Sequence, residues 1–260
     1  MKKASDRILK RSVLSVLVAA TLHIPQTVAE FTETVTAGSI VTDETVENGA
    51  QTVQNGGKTE DITIEQDGIQ RVYDGGSATG TTINNGGKQA VTFGGSATNT
   101  TIYQGGTLSV SRGGNATGVQ QKEGGALIAL TALGTVVKGN NACGEFSIEN
   151  GQAKNVLLEN GGILYVQDGT SATNTTIYQD GAQVVYRGGS ATGTTIYQGG
   201  VQTVSGTAKD TIINNGGKQT VSISGSATNT TIYQGGVQTV SGTAKDTTIN
   251  NGGVQTVYSG

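Results

Sequence analysis

One unit of 17–19 residues recurs along most of this 260-residue chain, and that period constrains the fold more than any other feature. Ile64, Ile83 and Ile102 are 19 residues apart, as are Ile177 and Ile196. From there the spacing alternates: 17 to Ile213, 19 to Ile232 and 17 to Ile249. The commonest unit reads T-T-I-x-x-G-G-x-Q-x-V-x-x-G-G-S-A-T-x, and residues 195–211 and 231–247 are identical. A unit this short cannot bury an apolar face alone, but stacked copies can.

Each unit holds a Thr-Thr-Ile segment and a Gln-x-Val segment, both rich in residues that favour extended backbone. Gly-Gly pairs between them tolerate positive φ. From each Ile the Gln lies at +6 and the Val at +8, so the last two share one strand face. The 17-residue units drop two residues after the Val, which keeps alternation; a one-residue slip would turn the apolar set outward. No helical period of useful length occurs from Glu30 onward. The pattern predicts an all-β chain, a right-handed parallel β-solenoid of about 12 coils, roughly 55 Å long at ~4.8 Å per coil. Ile and Val form columns inside, and Ala97 and its equivalents fill a tight corner. Gln70, Gln89, Gln183, Gln202, Gln219, Gln238 and Gln255 form an amide ladder, inward or at a strand edge. The absence of Pro after residue 29 suits uninterrupted ladders.

Residues 1–29 read as a signal peptide. Lys2, Lys3, Arg7, Lys10 and Arg11 precede an apolar run, Ser12 to Ile24, and small residues precede a cut between Ala29 and Glu30. The run is too short to span a bilayer as a helix. Residues 30–45 form an N-terminal cap or leader, and 46–260 carry the repeats. Between 121 and 158 the consensus fails. Gln121 takes an Ile position, and the next clear match is Leu158, 37 residues on, a length equal to about two coils. The expectation is two divergent coils with a fatter core; a kink, cap or contact patch is the other reading. Cys143 lies there, and a buried structural thiol is expected.

Composition then narrows function. From Glu30 onward there is no His, Pro, Trp or Met, and Cys143 is the only Cys. Imidazole-based catalysis and zinc binding lose their ligands. No enzyme, cofactor or metal site is expected. The part after residue 29 holds 11 basic against 18 acidic residues, net −7, which argues against nucleic acid as a partner. Asp67 and Asp180 are too many coils apart to act as a glycosidase pair and read as turn residues before Gly. Thr98-Asn99-Thr100 and Thr173-Asn174-Thr175 could present hydroxyls to ice, although the alternating 17/19 spacing spoils the array. Ice binding and carbohydrate binding or cleavage are the alternatives to adhesion. Tyr103, Tyr178, Tyr197 and Tyr233 each follow the core Ile, so they face outward as a possible contact surface, with Tyr178 and Tyr197 on adjacent coils.

The string G-G-S-A-T-x-T-T-I-Y-Q-G-G-x-Q-x-V resembles the AIDA-type repeat of self-associating autotransporter adhesins. Its pieces stand at Gly76–Thr79, Gly95–Thr98 and Gly189–Thr192, and at Thr100–Gly105 and Thr194–Gly199. The resemblance covers roughly residues 40–260. It implies a β-helical passenger on a Gram-negative surface that supports adhesion, autoaggregation or biofilm formation, with O-glycosylation of Ser or Thr in some members. Like chains or host and abiotic surfaces are the implied partners. Such passengers are followed by an outer-membrane translocator barrel, and no run of membrane strands is seen here. Display then needs a barrel supplied separately; a truncated chain would stay periplasmic.

Overall fold

The computed structural model describes residues 31–258. The predicted signal peptide, with its Ala29–Glu30 cut, lies outside the described residues. The described chain contains strands and turns and no helix. Successive coils stack in parallel register to form a β-solenoid of about 12 turns.

Each regular coil lays down three short strands. The first face is a 12-stranded sheet that runs from Phe31–Val35 to Val254–Val257. It holds the Gln-x-Val segments, paired Gln to Gln and Val to Val, as in Gln202 with Gln219 and Val204 with Val221. The second face holds the Ser-Ala-Thr strands and the third the Thr-Ile strands. Residues 31–45, expected as a cap or leader, already contribute Phe31–Val35 and Ile40–Thr42 to these sheets.

The interior follows from the repeat. Ile83, Ile102, Ile177, Ile196, Ile213 and Ile232 form one fully buried column, and Val72, Val91, Val185, Val204 and Val221 another. The alanines form a third. Expected at a tight corner, Ala97 instead sits mid-strand in Ser96–Thr98, and the corner comes two residues later. That corner, between the second and third faces, is left-handed: Asn99, Asn174, Asp210 and Asn229 have φ of 57°, 54°, 54° and 56°. Asn and Asp tolerate this region through local side-chain hydrogen bonds. The variable position of A-T-x-T-T-I is therefore restricted to Asn, Asp or Gly. In the 17-residue coils the shortened corner brings backbones together. A Cβ on Gly206 would lie 2.3 Å from the carbonyl oxygens of Gly189 and Tyr186.

The left-handed corner also reverses alternation, which corrects the ice-binding reading. Thr100 and Thr175 are turned inward and buried. They belong to an internal polar network with the Gln column. Gln89 Nε2 donates to Gln70 Oε1 at 2.7 Å and to Thr81 at 2.9 Å, and Thr100 donates to Gln89 Oε1 at 2.9 Å. The same pattern links Gln202, Gln183 and Thr194. Every ladder amide donates toward the N-terminal side. At the first coil Gln51 Nε2 meets carboxylates, Glu33 at 2.6 Å and Glu44 at 3.2 Å, which can only accept when ionised.

The middle of the rod departs from expectation. Residues 121–158 do not form two coils. They belong to one enlarged coil, carrying an antiparallel hairpin of Val136–Asn141 and Gly144–Glu149. On the first face Ala126–Leu130 pairs directly with Ile163–Val166, so no second coil intervenes. The pairing slips by two residues here: Ala129 continues the Val column of Val110, yet meets Leu164, which pairs with Gln183. A two-residue slip preserves the inward set. Leu108, Leu127 and Leu164 take Gln positions, so the amide ladder is divided into two runs by an apolar stretch.

Candidate contact surface

The outward position after the core Ile forms a column along the third face. It contains Tyr103, Lys122, Glu159, Tyr178, Tyr197, Asn214 and Tyr233 in order. Each tyrosine is anchored through its backbone; Tyr178 N–H donates to Leu158 O at 2.9 Å and Tyr197 N–H to Ile177 O at 2.8 Å. The four residues are 37–46% exposed. Only two of them meet. The rings of Tyr178 and Tyr197 stack with centroids 4.7 Å apart and planes 16° from parallel. Tyr103 is separated from Tyr178 by Lys122 and Glu159, and Tyr233 from Tyr197 by Asn214.

The third face is interrupted between Tyr103 and Tyr178. Gln120 still pairs onward with Asn140 of the hairpin, but Gln121 has no onward strand partner, and Leu157–Leu158 begins a new run. Side chains bridge the gap. Gln121 Nε2 donates to Leu157 O at 3.2 Å, Gly124 N–H donates to Glu159 Oε1 at 2.9 Å, and Asn160 Nδ2 donates to Gly124 O at 2.7 Å. Gln121 Oε1 is the one buried side-chain oxygen or nitrogen without a hydrogen bond among the described residues.

A groove opens at this break. Glu123, Glu159, Tyr178 and Gln179 border it along its length, and Tyr197 and Ala142 line its apolar part. Leu157 forms the floor and is 2% exposed, although it stands at an outward position held by Thr in Thr82, Thr101, Thr176 and Thr195. The hairpin tip accounts for its burial, since Ala142 lines the same cavity. Burial pushes the Glu159 carboxyl above its ordinary value of 4.5; the Gly124 N–H opposes this and the nearby Glu123 charge adds to it. The Tyr178 phenol is likewise raised, first by burial and then by Tyr197, Cys143 and Glu159.

Cys143 is exposed at the hairpin tip, contrary to the expected buried thiol. The two-residue turn Ala142-Cys143 projects it away from the core, and its Sγ lies 4.0 Å from Thr176 Oγ1. Asp67 and Asp180 sit at left-handed turns with φ of 57° and 60°. Among the described residues no three acidic, Cys or His side chains cluster as metal ligands. The groove and hairpin were not foreseen. The signal available was Leu157, an apolar residue where most coils place a half-buried Thr.

The AIDA family, described as an adhesin of the bacterial autotransporter system and probable stalk, matches residues 74–125, 138–200 and 203–259. The autotransporter CRAC of Citrobacter rodentium (strain ICC168) is 61% identical over 41 residues, 16% of this chain and 3% of that protein. The probable autotransporter YpjA of Escherichia coli (strain K12) is 51% identical over 53 residues, 20% of this chain and 4% of its own. The autotransporter adhesin/invasin TibA of Escherichia coli O78:H11 (strain H10407 / ETEC) is 48% identical over 48 residues, 18% and 5%. The matched stretches thus span only 3–5% of these relatives. A crystal structure of a TibC-catalysed, hyper-glycosylated TibA fragment is 36% identical, with a TM-score of 0.47 over 88% of this chain and 92% of that one.

Proposed function

Because the chain belongs to the AIDA family of bacterial autotransporter adhesin stalks, we propose that it is an exported, cell-surface passenger that promotes adhesion, autoaggregation or biofilm formation by contact. The observation that carries this reading is the outward tyrosine column, with Tyr178 and Tyr197 stacked on neighbouring coils. Aromatic residues supply large contact area at low entropic cost. The buried polar groups, by contrast, are committed to the ladders, as in Gln202 between Gln183 and Gln219. Contact through the solenoid surface needs no catalysis and no cofactor. Its partners are like chains on other cells, or host and abiotic surfaces. Display requires a translocator barrel in the outer membrane, supplied by the same or another polypeptide.

The test is expression in a non-aggregating Gram-negative host, with and without a fused barrel. Cells with the barrel should settle from standing culture and attach to a surface, and cells without it should not. Equal settling of both, or of neither, would overturn the proposal.

A further inference from the structure

We infer that the groove at the interrupted third face is a docking site for a basic peptide segment of a partner protein, receiving an arginine side chain between Glu123, Glu159 and the Tyr178–Tyr197 stack. The inference deepens the contact reading and rests on it. Peptide binding and cell settling are separate readouts, so either can fail alone.

Three observations converge here. First, the wall is acidic and unbalanced: Glu123 and Glu159 border the groove together with Asp180, and no Lys, Arg or His lines it. Glu123 is exposed and Glu159 half-buried, so a cation entering from solvent meets both. One Glu159 oxygen accepts from Gly124 N–H, which fixes the carboxylate in place and leaves acceptor capacity for a ligand. Second, the floor is apolar. Leu157 and Ala142 would cover the methylene stem of a long basic side chain, which snorkels its charge to the rim. Third, the aromatic pair is beside the acids. The next coil toward Tyr178 on the N-terminal side carries Glu159 in the same column, so the ring and the carboxylate flank one position. A guanidinium stacks on an aromatic face and takes carboxylates through paired N–H groups, which an ammonium does less well.

The features that create the site are peculiar to the enlarged coil. In regular coils the third-face ladder is continuous, and the position of Leu157 is taken by Thr or, in one coil, by Ile212, which is exposed there rather than covered. The acidic balance of the chain, net −7 after residue 29, would also speed encounter with a basic partner.

The test titrates the whole chain with a labelled peptide, acetyl-Gly-Arg-Gly-Arg-Gly-amide, and with its citrulline counterpart, which keeps the shape and removes the charge. Fluorescence anisotropy gives the affinity. The arginine peptide should bind and the citrulline peptide should not. The double variant E123Q/E159Q should bind about tenfold more weakly, as expected for loss of charge-assisted hydrogen bonds. The control variant E47Q/E60Q makes the same charge change at exposed sites elsewhere and should bind as the parent does. Should Glu159→Gln disturb the strands by circular dichroism, Glu123→Gln alone carries the comparison. Equal binding of the two peptides, equal weakening by groove and control variants, or no binding at millimolar peptide would each overturn the inference.

Discussion

Gln202 illustrates how this interior tolerates amides. Its Nε2 donates to Gln183 Oε1 and Thr194 Oγ1, and its Oε1 accepts from Gln219 Nε2. Gln202→Leu fits the space, as Leu127 and Leu164 show at equivalent positions, but it removes an acceptor from Gln219 and a donor from Gln183. The expected cost is about 1–3 kcal/mol in urea unfolding. An unchanged midpoint would mean the ladder contributes nothing. Glu159 gives a pH signature. Its folded carboxyl holds a proton more tightly than an ordinary one, so this group's effect on stability turns unfavourable as pH rises above 4.5. Thermal unfolding of Glu159→Gln should match the parent in acid and exceed it at neutral pH. The inward Val column was legible from parity alone, and parity placed the Gln column inward or at a strand edge; the structure puts it inside. The inward turn of Thr100 was not, because a single left-handed residue, Asn99, reverses a count that assumes unbroken extended backbone.

At the scale of the element, the hairpin of Val136–Asn141 and Gly144–Glu149 is the feature that sequence reasoning missed. Its disguise is arithmetic: 37 residues equal two coils of 18 or 19. The structure spends them on one coil plus an excursion. Leu157 is one signal against that arithmetic: its side chain is buried, and Ala142 of the hairpin tip lines the same cavity. Deleting residues 137–152 joins Val136 to Ala153, which pairs with Ala172 in the next coil and would take Val137's place beside Ala116. That variant should keep a β-type far-UV spectrum, since the ladder on either side is untouched. Collapse of the β signal would show the hairpin to be integral to the stack. Native thiol labelling offers a second check. Cys143 at the tip should react with a disulfide reagent without denaturant, at the rate of an exposed thiol; reaction only after unfolding would return it to the core.

Across the whole molecule, a short repeat converts local patterns into long-range order. Ile, Val, Ala, Gln and Thr each form an inward column, and the residue after each Ile forms an outward one. Register is held by parallel ladders and by the one-way polarity of the glutamine amides, which begins at Glu33 and Glu44. The solenoid class was therefore readable from spacing, while the break in the third face was not, because it depends on side-chain bridges such as Asn160 to Gly124. Adhesion by contact places the working groups on the outside of this rod. The most direct measurement compares settling of cells displaying the barrel-fused parent with cells displaying a variant in which Tyr103, Tyr178, Tyr197 and Tyr233 are all Ser. Both chains should give the same β-type spectrum, because these rings are outside the core. Contact through the tyrosine column predicts rapid settling of the parent and loss of most of it in the variant; equal settling at equal surface expression would contradict it.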